Sequence, residues 1–431
     1  MLNREMQDSG VEWIGRIPKG WDLRRMKYIL SERKMKNDPI ITQDILSLSV
    51  ERGVFPYSEK TGGGNKAKED LTAYKVALPD DIVINSMNIL AGAVGLSKYK
   101  GAVSPVYYTL YDDSGQVDIN YYYYLFQTES FQRSLLGLGN GIMMKESSTG
   151  KLNTIRMRIP MERLFAVRLP LPPKNIQTKI VNFIRPKVES VEKTIFETKQ
   201  SIEELKIYKH SIITEAVTKG IEPKIEMKNS GIKWIEMIPN HWNVIRIKYV
   251  LKEKNEKSIL GKEEPLSMSQ KFGIIPSKDM DVIPNPPANY TGNRIVEVND
   301  LVFNKLKAHL GVFDVSKYEG IVSPDYAVYQ IKGDNNVEYL RFLFKTPLMI
   351  AEFIKNSSGV GAGLTRLYTS EFFNIKIPIP GISEQNNIVS YLNNKIVKIN
   401  KLIKDKEEVI EELEKYKRSL IYEYVTGKKE V

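Results

Sequence analysis

Asp8–Leu30 reads DSGVEWIGRIPKGWDLRRMKYIL, and Asn229–Leu251 reads NSGIKWIEMIPNHWNVIRIKYVL. The two stretches align without a gap, Trp13 on Trp234, Pro18 on Pro239, Trp21 on Trp242, Lys27 on Lys248 and Tyr28 on Tyr249, and together they hold all four tryptophans of the chain. Similarity at a long internal period defines an architecture before local propensity is considered. Further on, SKYKGAVSPVYY from Ser97 faces SKYEGIVSPDYA from Ser316, and YLFQT from Tyr124 faces FLFKT from Phe342. The copies diverge, then realign at LPLPP from Leu169 against IPIPG from Ile377, and remain aligned to Tyr208-Lys209-His210-Ser211 against Tyr416-Lys417-Arg418-Ser419. One plan is written twice.

Within each copy the first part reads as mixed structure. Short β-branched or alternating runs, such as Asp81-Ile82-Val83-Ile84 and Tyr107-Tyr108-Thr109-Leu110, lie between Gly- and Pro-rich loops and predict strands. Apolar residues recurring at three and four predict a helix from Asn120 to Leu136, with a counterpart from Val337 to Lys355. Large aromatics beside Ile and Pro at matching places make Trp13, Trp21, Trp234 and Trp242 core anchors rather than base-stacking residues.

The second part is a long helix. Val188, Val191, Ile195, Thr198, Ile202, Leu205, Lys209 and Ile212 alternate spacings of three and four, the a/d seam of a coiled coil. Ile396, Ile399, Ile403, Lys406, Ile410, Leu413, Lys417 and Leu420 repeat it, with polar breaks at the same two places. Such breaks cost stability and fix register, so the seams look matched to one another. The alternative, each helix packing only on its own domain, suits a broader apolar face and fewer flanking charges. Pro186 should end or bend the first helix near its start. The fold expected is α+β, with two mixed α/β domains separated by two long helices that form an antiparallel coiled coil with internal pseudo-two-fold duplication. The boundaries expected are 1–173 for the first domain, 174–220 for a central spacer helix, 221–381 for the second domain and 382–431 for a C-terminal spacer helix.

Composition narrows the function. The 431 residues, 42% hydrophobic, supply ample core. Sixty-three Lys and Arg against 52 Asp and Glu leave a formal charge of +11, which favours an anionic partner. No Cys is present, which excludes disulfides, thiol nucleophiles and the usual zinc fingers. Neither the first twenty residues nor any later segment carries an apolar run long enough for a signal peptide or membrane span, so a soluble, cytoplasmic protein is expected.

Catalytic motifs are poorly matched. Asn285-Pro286-Pro287-Ala288 is close to the N-P-P-aromatic loop of amino-methyltransferases, but its fourth residue is Ala and no Gly-rich cofactor loop accompanies it. Gly62-Gly63-Gly64-Asn65-Lys66 lacks the spacing and hydroxyl of a phosphate loop. A nuclease-like set, Pro79-Asp80 with Glu197-Thr198-Lys199, places its second element on the coiled coil. His210, His241 and His309 have no metal-ligand spacing. No catalytic residue, metal site or cofactor is assigned.

A helix from Lys187 to Thr218 would span roughly 48 Å at about 1.5 Å per residue. Two such rods, paired antiparallel, would set two readers along one duplex, at a separation suited to half-sites about one helical turn apart. The paired W-I-x-x-I-P-x-x-W openings, Trp13 to Trp21 and Trp234 to Trp242, resemble the domain starts of specificity subunits of type I restriction-modification systems. So does the closing pattern, Ile377-Pro378-Ile379-Pro380 with Glu384-Gln385 and Leu169-Pro170-Leu171-Pro172 with Gln177, each followed by a heptad helix. The first copy departs from the acidic-Gln pair by having Ile176.

The resemblance covers the whole chain. It implies a non-catalytic DNA-binding subunit for host defence and DNA methylation, in which two target recognition domains read an asymmetric two-part site. It also implies two methyltransferase subunits and ATP-driven restriction subunits as partners, which would bind the methyl donor, ATP and Mg²⁺. Two other readings stay open: a coiled-coil adaptor without sequence-specific DNA binding, and a self-contained methyltransferase or nuclease.

Base reading needs Arg, Lys, Asn or Gln on elements fitted to a groove. Where the copies differ, the first half offers Lys66, Lys68, Asn85, Asn88, Lys145, Lys151, Arg156 and Arg158. The second half offers Lys271, Asn293, Arg294, Asn304, Lys305, Lys307, and Lys355 to Arg366. Arg158 and Arg366 coincide in the register set by Leu169 and Ile377, which suits a shared grip on the DNA backbone. Replacing the loop from Gly137 to Lys151 should change only one half of the target. Methylation profiling in a host that expresses the altered chain with its partner checks this, and a change in both halves contradicts it.

Overall fold

The computed structural model describes residues 5–61, 66–140, 157–269, 272–280, 289–361 and 364–431. The chain divides into two compact units, residues 1–198 with 408–431, and residues 199–407. Each takes the beginning of one long helix and the end of the other: the central helix is Lys174–Lys219 and the C-terminal helix Ile382–Val425.

In the first unit an antiparallel four-stranded sheet has the order Ser31–Glu32, Tyr107–Tyr111, Ile82–Asn85, Val94–Leu96. The second unit repeats it as Leu251–Lys254, Tyr326–Ile331, Leu301–Asn304, Phe313–Val315. Two hairpin-like pairs flank each sheet, Leu46–Ser49 with Gly53–Pro56 and Lys75–Ala77 with Gly101–Val103 in the first, and Leu266–Ser269 with Gly273–Pro276 and Arg294–Val296 with Gly320–Val322 in the second. Ile82–Asn85 pairs with Tyr107–Tyr111, so the two expected runs are strands, the first displaced by one residue from Asp81 to Ile84.

The strand that follows each Trp opening and the closing P-x-P run are halves of one ladder, while Arg16–Pro18 and Ile235–Pro239 of the openings pair with Met6–Asp8 and Met227–Ile232. Asp22–Arg25, after the second Trp, pairs with Arg168–Leu171, and Asn243–Arg246 pairs with Lys376–Ile379. Both ladders have only two strands, so Pro170 and Pro378 sit at edges, where a missing N–H is tolerated. Trp21 and Trp242 are buried. Trp13 meets Phe131 edge to face with ring centroids 5.7 Å apart, and the Trp234 indole donates to the Lys376 carbonyl at 3.3 Å. The tryptophans are framework residues.

The helix expected from Asn120 to Leu136 is two helices, Ile119–Phe126 and Glu129–Ser134, and its counterpart is Val337–Phe344 and Pro347–Lys355. A threonine makes each break. The Thr128 hydroxyl donates to the Leu125 carbonyl at 2.7 Å and accepts from the Phe131 amide at 3.4 Å. Thr346 does the same with Leu343 and Met349 at 2.7 and 3.3 Å. One side chain thus closes the first helix and caps the second, which periodicity alone does not register.

Pro186 does not end the central helix, which runs through it. Asn182, four residues back and freed of its hydrogen bond by the ring, lies with Pro186 on the exposed side. Ile184 and Val188, on the other side, belong to the core of the first unit together with Leu420, Ile421 and Val425 of the C-terminal helix. Their burial outweighs the lost bond.

Within each unit the two helix segments run antiparallel. In the first, Phe183 meets Tyr424 at 4.7 Å between ring centroids and Lys417 pairs with Glu192 at 3.1 Å. In the second, Lys209 donates to Asn400 at 3.1 Å, and Ala216 and Val217 share a core with Ile388, Val389 and Leu392. Lys417–Glu192 and Lys209–Asn400 are the same pair of repeat positions, so the polar breaks in the two seams make equivalent cross-helix bonds. Val188, Val191, Ile195, Ile202, Ile212, Ile399, Ile403 and Leu420 are buried, while Leu205, Ile396, Ile410 and Leu413 are half-buried.

Two buried side chains fasten each domain to the helices. Gln177 accepts from the Asp118 amide at 2.9 Å and donates to the Pro172 carbonyl at 2.8 Å. Gln385 accepts from the Asn336 amide at 2.8 Å and donates to Pro380 at 2.9 Å. The Tyr121 hydroxyl donates to the Val425 carbonyl at 2.6 Å, and the Tyr339 hydroxyl to the Val217 carbonyl at 3.2 Å. Burial drives both phenol pKa values well above the ordinary tyrosine range, so both remain donors. Tyr121→Phe leaves a buried helix-end carbonyl without its donor. Denaturant unfolding should show a loss of about 1–3 kcal/mol, and an unchanged midpoint would contradict the role given to this bond.

Candidate nucleic-acid interface

Each domain is braced by a buried acid at the start of a central strand. Asp81 takes Arg33 at 2.8 and 2.9 Å and the Leu78 amide at 2.8 Å. Asp300 takes Lys254 at 3.3 Å and the Glu297 amide at 2.8 Å. The residue before each acid, Asp80 or Asn299, has positive φ in a tight turn, so Asp80 has a backbone role in common with its counterpart. Glu197, the other member of the nuclease-like set, is exposed on the helix and pairs with Lys193 at 3.8 Å.

At the far end of the same strands the chain turns outward, and several sequence candidates lie here. Asn85 accepts from the Met87 amide at 3.0 Å, and Asn304 accepts from the Leu306 and Lys307 amides at 3.1 and 3.2 Å. Both side chains shape the turn, and Asn304 also bonds the Tyr326 hydroxyl. The residue after each Asn receives a backbone bond from the last segment of its domain: Ile159 N donates to the Ser86 carbonyl at 2.9 Å, and Leu367 N to the Lys305 carbonyl at 3.0 Å. Arg158 and Arg366, one residue earlier in those segments, are thereby brought beside the turns. Arg158 is exposed, while Arg366 is half-buried, with its Nε enclosed and its guanidinium 5.6 Å from the Tyr368 ring.

Arg294 is held by its own domain. It meets Glu253 at 3.3 Å and donates to Asn255 at 2.9 Å, to the Lys254 carbonyl at 3.2 Å and to the Pro324 carbonyl at 3.4 Å. Lys75 does the equivalent work in the first domain, bonding Glu32 at 3.2 Å and the Tyr107 carbonyl at 2.9 Å. The sequence reading missed Lys75, although aligning Glu32 on Glu253 and Lys75 on Arg294 would have exposed the clamp.

The remaining candidates are dispersed. Lys66, Lys68 and Lys307 are exposed, Asn88 and Asn293 are half-buried in turns, and Lys355 pairs with Glu352 at 3.2 Å. Lys145, Lys151, Arg156 and Lys271 lie outside the described residues, as does the Asn285 to Ala288 loop. His210 is exposed on the central helix, and His241 bonds Glu384 at 2.7 Å. Among the described residues no group of three or more His, Asp or Glu is placed to hold a metal ion, and no helix is long and apolar enough to cross a membrane.

Residues 239–412 match the model of the type I restriction modification DNA specificity domain. The match covers the second copy of a duplicated plan whose sheet order, ladders and braces all recur in the first. The chain carries this domain in its second half and is similar along its length to type I specificity subunits. The type I restriction enzyme MjaVIII specificity subunit of Methanocaldococcus jannaschii is 24% identical, over 96% of this chain and 94% of its own length. A chain from a structure of complex assembly and conformational transition of the type I R-M system has the same fold, with a TM-score of 0.67, 13% identity, and coverage of 95% of this chain and 98% of its own.

Glu384, the acid of the second closing pattern, has a framework role. It accepts the Trp242 indole at 3.0 Å and fastens the entry motif to the C-terminal helix. Ile176 cannot do this for Trp21, so the first copy relies on Gln177 and apolar packing. The Asn turns have a testable division of labour. Asn304→Ala should lower unfolding stability by about 0.5–1.5 kcal/mol, measured by chemical denaturation, because its Oδ1 holds the turn. Unchanged stability would free Asn304 for a purely recognitional role.

Proposed function

We propose that this specificity subunit is non-catalytic and acts in the cytoplasm as the address of a type I complex. Residues 1–173 form a recognition domain that reads one half of an asymmetric two-part site, and residues 221–381 form a second that reads the other. Segments 174–220 and 382–431 set their spacing and dock two methyltransferase subunits, with restriction subunits joining that core.

The observation that carries this reading is the contrast between framework and turn. Acid braces, Gln fasteners, Tyr hydroxyl bonds and Asn turns recur in both units, while the side chains offered beside those turns differ, Ser86 against Lys305 and exposed Arg158 against half-buried Arg366. Arg158 and Arg366 share a residue type, whereas a buried, satisfied serine stands against a lysine at the turn itself, and equal frames that differ at such a position suit two unlike half-sites.

Docking is supported by the outer faces of the helices. Phe196, Ile207, Val397, Leu402 and Val409 are all about half or more exposed, and apolar side chains so placed on a charged rod suit a protein partner. Chemistry falls to the partners, since Asp81, Asp300 and Glu384 are committed to framework bonds.

Selection from a randomised duplex library, using the full chain with its methyltransferase partner, should enrich a two-part site. Affinity for it should fall linearly on a log–log plot against salt, as phosphate contacts require. Enrichment of no sequence, or binding indifferent to salt, would instead support an adaptor.

A further inference from the structure

Among the described residues of the sequence-derived set, Lys305 is the one cation that is buried as a residue and without a carboxylate partner. It is 8% exposed, and among the described residues it forms no ion pair and no side-chain hydrogen bond. Glu253, whose charge acts on Lys305, is bonded to Arg294 at 3.3 Å. Burial, reinforced by Arg294 and Arg366 and opposed by Glu253 and Asp325, holds the Lys305 ammonium below its ordinary pKa. Its stem is buried while the ammonium is not among the enclosed unpartnered atoms, so the charge is held at the end of a packed stem with no protein partner. Beside it the Nε of Arg366 is enclosed without an acceptor. Two donor groups on adjoining segments, tied by the Leu367–Lys305 backbone bond, thus lack an acceptor from the protein itself.

The first domain shows what the frame requires on its own. The same turn there carries Ser86, whose hydroxyl donates to the Val106 carbonyl at 2.7 Å and is satisfied. The fold therefore does not need a cation at this position. Arg158, at the place of Arg366, is exposed in the manner of a phosphate grip that both domains could share.

On the reading that each domain serves one half-site, we infer that Lys305 is a specificity-determining residue of the second domain, donating to acceptor atoms on a base edge. Guanine fits best, since its O6 and N7 lie side by side in the major groove and are the usual acceptors for Lys. Phosphate oxygens offer the same acceptor chemistry, and the experiment separates the two sources.

The test compares wild type with Lys305→Ser, the residue the frame carries in the first domain, using the full chain with its methyltransferase partner in duplex selection and salt titration. Lys305→Gln serves as a second variant should the serine form melt early. The inference expects discrimination at one base pair of one half-site to fall about 5- to 100-fold, with the other half-site and the salt dependence unchanged. Uniform weakening on all sequences, with the log–log salt slope reduced by about 0.9, would assign Lys305 to phosphate and overturn base reading. An unaltered selection profile would overturn it as well. Should wild type itself select no two-part site, the underlying reading fails before either variant is examined.

Discussion

A tyrosine hydroxyl bonded to the last carbonyls of a helix is the contact on which the rest of this molecule depends. Tyr121 bonds Val425, at the end of the helix that begins in the other unit, and Tyr339 bonds Val217 in the reciprocal way. Each domain is thereby fastened to the start of its own long helix, through Gln177 or Gln385, and to the end of the other. Neither unit is a continuous stretch of chain. Helix ends expose unsatisfied carbonyls, and meeting that need with a fully buried side chain makes domain and helix pair one cooperative structure.

From this constraint follows the division between what must be alike and what can differ. The strand after each Trp entry and the P-x-P run form one ladder, the buried acids set the strand starts, and the Asn turns set the strand ends. Altering any of these disturbs the seat of the helices. Residues presented just beyond the turns carry no such duty, so sequence reading can change there without loss of the fold. Lys305 is the sharpest case, a lysine with a buried stem and an unpaired charge where the sister domain has a satisfied serine.

Much of the architecture was legible in the residues because duplication made the chain its own control. Matching Trp13 with Trp234 and Gln177 with Gln385 identified framework positions without any other sequence, and the three-four seam was visible because heptad spacing is a local property. Breaks controlled by a single side chain were less legible. Thr128 and Thr346 split the expected helices through bonds to their own neighbours, and Pro186 failed to end a helix because Ile184 and Val188 are buried against a segment over two hundred residues away.

Candidate DNA contacts divide in the same way. That Lys, Arg and Asn of the divergent stretches were the residues to weigh came from donor chemistry alone. Which of them remain available was a tertiary matter. Arg294 is taken up by Glu253, Asn255 and two carbonyls, Asn85 and Asn304 hold turns, and Lys355 pairs along its helix. What the sequence by itself determined was the repeated plan, its helical seams and the absence of thiol chemistry, since these depend on residue identity and spacing. Only the tertiary structure decided which cations are already neutralised and which, like Lys305, are left without a partner. That depends on which carboxylates and carbonyls folding brings within hydrogen-bond reach.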